Sequence, residues 1–284
     1  MKKLHTFNYQ VALDIQNSQM QKWAMSLDHK IFVQLLSKVS DYNAKATRTQ
    51  NAFDVISEID IDRRVKDRKY YDTRYSQKIQ PYYNLNRSDT ISLSPFDETI
   101  LLDADYLVLD NSFDYVWGGV EDILVNKVVK DLRHKTNLSG FDLRFNDMSI
   151  PLYWATSLYF TKSKKSNTLF QLMQFIRENY DFYQALYNFM PNGYFRNDYA
   201  LSIAIHMMSG QFEIDSVKSF PINHISVATE YDDMINFKDN NAYFISEENE
   251  GNFHVHKVRT NIHVMNKWCI GRNAERIISY ATSK

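Results

Sequence analysis

A short apolar run that ends directly in two acidic residues is the feature that most limits how this chain can fold. Thr99-Ile-Leu-Leu102 follows Asp97 and Glu98 and precedes Asp103-Ala104-Asp105. An uninterrupted apolar run bounded by polar residues is typical of a strand that is covered on both faces. The pattern predicts a buried strand of an α/β sheet, with the two aspartates at its carboxyl end.

The acidic pair has a spacing that suits a divalent cation. Alternate side chains of an extended segment share a face, so Asp103 and Asp105 are expected to converge. Carboxylate oxygens are the ligands that hard divalent cations prefer, and a cation there would offset the charge of a departing diphosphate. The D-x-D spacing alone also fits a solvated acidic pair, a phosphohydrolase whose first aspartate is the nucleophile, or a two-metal nucleotidyltransferase.

Apolar periodicity along the rest of the chain predicts strands interleaved with helices, which indicates an α/β fold. The predicted helices cover 18–39, 121–134, 166–190 and 197–209, and a further helix begins at 274. The predicted strands, besides 99–102, cover 53–57, 106–109, 152–160, 242–246 and 253–264.

The composition is that of a globular chain without flexible linkers. The 284 residues are 44% hydrophobic and include only 7 glycines and 5 prolines, so one continuous folded unit is expected. With 33 basic and 34 acidic residues, the formal charge of -1 argues against a surface adapted as a whole to nucleic acid. The basic clusters at 63–69 and at Lys162, Lys164 and Lys165 are either ordinary surface or local phosphate contacts.

The single cysteine and the lack of long apolar segments bear on where the protein acts. Cys269 has no partner for an internal disulfide, and a reducing compartment therefore fits best. No segment approaches 18 consecutive apolar residues, and the amino-terminal residues lack the apolar core of a secretion signal. We therefore expect a cytoplasmic protein with no membrane span.

The segment SPFDETILLDADYLV resembles part of the GT-A glycosyltransferases, in particular the glycogenin- and galactosyltransferase-like family. In that family an apolar strand runs into D-x-D and then into further hydrophobic residues. Three other matches fall in the family's order: Arg87 upstream of the strand, Arg196-Asn197-Asp198 at a helix start, and His263-Val-Met-Asn-Lys267-Trp268 near the end of the sequence. The last match lacks the glycine and the proline of typical members.

The resemblance implies a role for each matched residue. A Mn²⁺ or Mg²⁺ ion would be held by Asp103, Asp105 and His263. The donor would be bound by Arg87, Asp103, Ala104, Asp105 and Lys267. The transferred sugar would face Arg196, Asn197 and Asp198 as the catalytic group, with Trp154 and Tyr194 as candidate walls.

The same residues also have structural interpretations. Arg87 fits a surface arginine, and His263 fits an ordinary strand histidine. Asp198 fits a helix cap or the partner of Arg196 in an ion pair. Trp154 and Tyr194 fit a hydrophobic core.

The resemblance further implies one GT-A catalytic domain over 1–284, with a nucleotide-sugar-binding half (1–110) and an acceptor-side half (111–284) that ends in the metal and diphosphate segment. It implies a retaining hexosyl- or pentosyltransferase that uses a nucleotide-sugar, with a UDP-sugar favoured. The run RNDYALSIAIH resembles glycosyltransferase-like proteins of tailed bacteriophages. A phage origin would place the protein in the cytoplasm of the host. The acceptor would then be hydroxymethylated DNA, a glycan or a protein. A catalytically inactive GT-A fold that serves as a binding module is the alternative from another class.

Overall fold

A computed structural model describes residues 3–7, 31–34, 66–82, 85–133, 144–145, 149–187, 195–210, 216–222 and 224–282. Its strands are β1 (Lys3–Phe7), β2 (Ile31–Gln34), β3 (Lys66–Asp72), β4 (Ser76–Tyr82), β5 (Glu98–Leu102), β6 (Tyr106–Leu107), β7 (Ile123–Asn126), β8 (Val128–Asp131), β9 (Trp154–Thr161), β10 (Lys218–Ser219), β11 (His224–Ala228), β12 (Asp233–Lys238), β13 (Asn241–Asn249), β14 (Asn252–Val258) and β15 (Ile262–Val264). Its α-helices are α1 (Thr90–Leu93), α2 (Lys164–Glu178), α3 (Tyr180–Leu186), α4 (Asn197–Met208) and α5 (Lys267–Thr282). Short 3-10 helices cover Arg87–Asp89 and Ser112–Val116.

The largest sheet among the described residues is mixed and has the strand order β10-β7-β9-β5-β1-β2. β5 is parallel to β1 and antiparallel to β9. Leu101 packs on one face of the sheet with residues of α2 and α4, whereas Ile100 and Leu102 belong to a second core cluster. Both faces of β5 are therefore covered, which explains its continuous apolar run and confirms the predicted strand.

A second sheet, with the order β6-β15-β11-β8, brings the end of the chain to the acidic turn. β15 is parallel to β11 and antiparallel to β6. A third core cluster joins this sheet to α5 and to the antiparallel sheet β12-β13-β14. The segment around His263 therefore lies beside Asp103–Asp105, although about 160 residues separate them in the sequence.

The hairpin β3–β4 forms a separate two-stranded antiparallel sheet. The guanidinium of Arg272 in α5 donates two hydrogen bonds to Asp72, of 2.7 and 2.9 Å, and one of 2.8 Å to Asp233. The Thr73 amide also donates to the Glu230 carbonyl at 3.2 Å. These contacts attach the hairpin to the rest of the fold.

The predicted helix over 121–134 is wrong, because this segment forms β7 and β8. Its apolar residues fit helical spacing, but Ile123-Leu-Val125 and Val128-Val129 are also two short runs rich in β-branched residues. Every residue of β7 is buried, so pairing within sheets overrides the amphipathic pattern.

Other predicted elements differ in their bounds. The helix predicted over 18–39 is wrong at 31–34, which is strand β2; the rest of it, like the predicted strand 53–57, lies outside the described residues. The helix predicted over 166–190 is two helices that meet at Asn179. The predicted strand 253–264 is β14 and β15, in different sheets, and the last helix begins at Lys267 instead of 274. The predicted strand 152–160 and helix 197–209 are confirmed as β9 and α4.

Candidate active site

Asp103 and Asp105 lie in a tight turn at the carboxyl end of β5. The Tyr106 amide donates to the Asp103 carbonyl at 3.0 Å, and the Asp103 amide donates to the Thr156 carbonyl at 3.0 Å. The two carboxylates therefore converge because the chain turns between them. The prediction that they converge as alternate side chains of an extended segment is wrong in its geometry. Ala104, between them, packs its side chain into the third core cluster.

His263 faces this acidic turn from β15. Its neighbours Ile262 and Val264 are buried on the opposite face of the strand, as alternation requires. The Val264 amide donates to the Asp105 carbonyl at 2.8 Å, so β15 is fixed against the turn by its backbone. His263 Nε2 lies 3.2 Å from Asp105 Oδ1 and 3.7 Å from Asp103 Oδ2.

Both acids have a cationic partner as well. The Arg87 guanidinium donates to Asp103 Oδ1, and the Lys267 ammonium donates to Asp105 Oδ2. Arg87 is only 1% exposed and also donates to the Ala155 carbonyl, so its interpretation as a surface arginine is wrong. Lys267 is the first residue of α5, where the Asn266 side chain accepts from the Cys269 amide at 3.3 Å and caps the helix.

The charges of the cluster shift its pKa values in different directions. Burial raises the pKa of the Asp103 carboxyl, although Arg87 opposes this effect. Burial acts on Asp105 too, but Lys267 and His263 together hold the pKa of its carboxyl well below its ordinary range. Burial disfavours the charged imidazole of His263, yet the two carboxylates outweigh burial and raise the pKa of this histidine.

The polar start of α4 forms the opposite wall. Asp198 Oδ1 accepts from the Ala155 amide at 2.8 Å, and Asp198 Oδ2 accepts from Arg196 at 3.1 Å. The ion pair considered for Arg196 and Asp198 is therefore formed. Asp198 makes no capping hydrogen bond in α4, whose N-cap residue is Arg196.

The residues predicted to bind the metal, the donor and the transferred sugar, except Ala104, line one open cleft. Its empty space, open solvent included, is about 810 Å³. Trp154 lines the cleft and is also buried in the core, whereas Tyr194 lies outside the described residues. The histidines His254 and His256 lie in β14, where they contact Glu248 and Ser246, and they do not line the cleft.

The cleft also contains residues that sequence reasoning did not assign. The hairpin contributes Arg68, Lys69, Tyr70 and Tyr71, and a loop after β11 contributes Glu230. Of these residues, only Arg68 and Lys69 have a signal in the sequence, since they belong to the basic cluster at 63–69, which fits a phosphate-binding patch.

The donor set fits a hard divalent cation. One ligand atom each from Asp103, Asp105 and His263 lies within 4.8 Å of the other two. Asp105 Oδ1 is buried without a well-formed hydrogen bond, and His263 Nε2 lies 3.2 Å from it. A buried carboxylate oxygen without a partner is costly unless something binds it, and two carboxylates with one imidazole are suitable ligands for Mn²⁺ or Mg²⁺.

Comparison with solved structures identifies the fold. No family model and no curated protein matches the chain. The galactosyltransferase LgtC, in complex with donor and acceptor sugar analogs, aligns with a TM-score of 0.50 and 15% identity over 100% of this chain and 96% of LgtC. The glycosyltransferase GlyE of Streptococcus pneumoniae TIGR4 aligns with a TM-score of 0.37 and 11% identity over 84% of this chain, which spans about half of GlyE (47%).

The likeness to LgtC over nearly the whole of both chains shows that this chain has the GT-A type fold of nucleotide-diphospho-sugar transferases. The acidic turn lies at the carboxyl end of β5, where open α/β sheets bind their ligands. None of the helices that the structure describes has both the length and the apolar character needed to span a bilayer.

Proposed function

We propose that the protein is a glycosyltransferase that moves a sugar from a nucleotide-sugar to an acceptor hydroxyl, with a divalent cation held by Asp103, Asp105 and His263. The observation that carries this proposal is the convergence of these three ligand atoms within 4.8 Å, on a GT-A fold. The bound ion would supply positive charge to the departing nucleoside diphosphate. We propose that 1–284 acts as one catalytic unit.

The protein's own side chains support departure of the diphosphate in two ways. Arg87 neutralises and orients Asp103 from within the core. Lys267, with its ammonium at the edge of the same turn, is a point charge of the kind that binds phosphate. A departing diphosphate would therefore be met by the positive charge of Lys267 at the edge of the turn.

The start of α4 is proposed to bind the transferred sugar. Asp198 has its carboxylate fixed by the Ala155 amide and Arg196, and both side chains line the cleft with Asn197. A held carboxylate can accept hydrogen bonds from sugar hydroxyls or stabilise positive charge that develops on the sugar ring. The arrangement is compatible with the retaining course, in which the departing phosphate takes the acceptor's proton.

The Arg87–Asp103 contact does not favour the phosphohydrolase alternative. A nucleophilic aspartate needs a free carboxylate oxygen directed at phosphorus. Arg87 binds Asp103 Oδ1 and neutralises the carboxylate from within the core, which makes Asp103 a weaker nucleophile. This environment suits Asp103 better as a metal ligand and as the ion-pair partner of Arg87 than as a nucleophile.

For the partners, we propose a UDP-sugar as donor and a saccharide hydroxyl as acceptor. The saccharide is supported by LgtC, whose structure was solved with donor and acceptor sugar analogs. DNA is less favoured. One of the two basic clusters, which follows the end of β9, consists of Lys162, Lys164 and Lys165. At that end of β9, Thr161 pairs with Glu98 at the start of β5, so these lysines lie at the opposite end of the sheet from the acidic turn.

The test is incubation of the purified protein with Mn²⁺ and a panel of UDP-, GDP- and CMP-sugars, with release of nucleotide and sugar followed by mass spectrometry. We expect hydrolysis of at least one donor and loss of activity in Asp105→Ala. Asp97→Asn, at the other end of β5, is the matched control and should retain activity. Binding of a nucleotide-sugar without turnover of any donor would contradict the enzyme and favour the inactive binding module.

A further inference from the structure

We propose that Lys267 is a built-in counter-ion that competes with the divalent cation until a nucleoside diphosphate draws it away. This inference rests on the proposed function, because it concerns the same acidic turn. It goes further in assigning Lys267 two alternating partners, Asp105 in the nucleotide-free protein and phosphate in the donor complex.

The first observation is the pairing of the two acids. Each carboxylate has one oxygen on a cation, Asp103 on Arg87 and Asp105 on Lys267, and the other oxygen faces His263. Both oxygens of Asp105 are therefore already close to a positive or potentially positive group. A divalent ion that uses Asp105 must share it with an ammonium a few ångströms away.

The second observation is the charge of the turn. Two carboxylates are balanced by the guanidinium and the ammonium, so these four side chains together carry no net negative charge. Like charges a few ångströms apart repel strongly in a poorly solvated site. Without nucleotide, the electrostatic attraction for a divalent cation is therefore much weaker than for two unpaired aspartates.

The third observation is that only one of the two cations is free to leave. Arg87 is 1% exposed and is also bound to the Ala155 carbonyl. The Lys267 side chain is 17% exposed, and Asp105 is its one hydrogen-bond partner among the described residues. It also begins a helix, the end at which the helix dipole disfavours a cation.

A diphosphate would resolve this competition. Its negative charge offers the flexible Lys267 side chain a new partner, which uncovers Asp105 Oδ2 for the metal and removes the repulsion. Cation and nucleoside diphosphate then each strengthen the binding of the other, as linkage requires, and part of this coupling passes through Lys267. The metal site is complete only when a donor is bound.

The test measures Mn²⁺ affinity by electron paramagnetic resonance of free Mn²⁺, first without nucleotide. We expect Lys267→Gln, which can still hydrogen-bond Asp105, and Lys267→Met to bind Mn²⁺ about tenfold or more tightly than the wild type. Lys267→Arg keeps the charge and should resemble the wild type. Lys69→Gln is the matched control, because Lys69 lines the same cleft without contacting a carboxylate among the described residues.

The second arm adds UDP, with UMP as the probe that lacks the β-phosphate. UDP should tighten Mn²⁺ binding in the wild type and much less in the Gln and Met variants, and UMP should have little effect in either. Circular dichroism and thermal unfolding verify that the variants fold.

The outcomes separate the two proposals. The counter-ion role is overturned if the Gln and Met variants bind Mn²⁺ no more tightly than the wild type. The proposed glycosyltransferase still stands in that case if Mn²⁺ supports donor cleavage. Failure of every variant to bind Mn²⁺, with or without UDP, overturns both the counter-ion and the metal site.

Discussion

The Ala155 amide donates a 2.8 Å hydrogen bond to Asp198 Oδ1 and so fixes the acid on α4 against β9. The carbonyl of the same residue accepts from Arg87, and the next carbonyl, Thr156, accepts from the Asp103 amide at 3.0 Å. Two adjacent residues of one buried strand therefore position both the acidic turn and the opposite wall of the cleft. The distance between the two sides of the cleft depends on β9, whose residues are buried apart from the last.

Replacing Arg87 should destabilise the fold strongly. Arg87→Met would leave the Asp103 carboxylate and the Ala155 carbonyl without their buried partner, and loss of one partner of a buried ion pair costs about 3–5 kcal/mol. Urea denaturation measures the change in the free energy of unfolding.

The control for Arg87 is Arg74→Ala. Arg74 pairs with Glu247 at 2.9 Å, but its side chain is 50% exposed, so the expected loss is no more than about 1 kcal/mol. Equal effects of the two substitutions would contradict a buried structural role for Arg87.

Replacing Asp198 should impair turnover with little effect on folding. Asp198→Asn can still accept from the Ala155 amide, whereas it loses the negative charge and the ion pair with the 42% exposed Arg196. We expect turnover to fall about 100-fold or more, since groups that stabilise developing charge have effects of this size. Steady-state kinetics and thermal unfolding should be compared with the exposed control Asp181→Asn. Unchanged turnover would reduce Asp198 to a structural partner of Arg196.

Mn²⁺ binding should weaken as the pH falls. A metal ligand must be a neutral imidazole, but the carboxylates raise the pKa of His263 in the metal-free protein, so protons compete with the ion below that raised pKa. Each proton released should weaken binding by about tenfold per pH unit in that range. The raised pKa of Asp103 extends the effect to lower pH.

Calorimetry in two buffers of different ionisation enthalpy measures both the affinity and the protons released. His263→Gln should bind Mn²⁺ more weakly and with a smaller pH dependence. An affinity that does not change with pH in the wild type would show that His263 is not a ligand.

Cys269 should be inert in the folded protein. The thiol is fully buried in the cluster between α5 and its sheets, and burial raises the pKa of Cys269 to about 12. Reaction with a thiol reagent should therefore require unfolding, and its rate should rise with denaturant in step with loss of helical circular dichroism. Rapid stoichiometric labelling under native conditions would contradict the packing of α5.

The elements that could be predicted from the sequence are those whose pattern has one interpretation. A continuous apolar run such as 99–102 suits a strand covered on both faces, and the segment 197–208 contains neither glycine nor proline before Gly210. The segment 121–134 satisfies both a helical spacing and two short strands, and only the neighbouring strands β9 and β11 decide between them. Local pattern cannot supply that information.

The same distinction applies to the site. Asp103 and Asp105 are separated by one residue in the sequence, so their convergence was predictable, although a turn produces it. Glu230 and the hairpin residues Arg68 and Lys69 enter the cleft through contacts such as Arg272 with Asp72, 200 residues apart. No spacing rule connects residues at that separation. The sequence marks Arg68 and Lys69 only as part of a basic cluster that fits either surface or phosphate contacts, and it gives no signal for Glu230.

The most direct test of the central claim is anomalous X-ray diffraction at the manganese edge from crystals grown with Mn²⁺ and UDP. The account predicts one strong anomalous peak within coordination distance of Asp103, Asp105 and His263, in contact with the diphosphate, and its absence in crystals of Asp105→Asn. A diphosphate bound in the cleft with no manganese peak at these three residues, or a peak that persists unchanged in the variant, would contradict it.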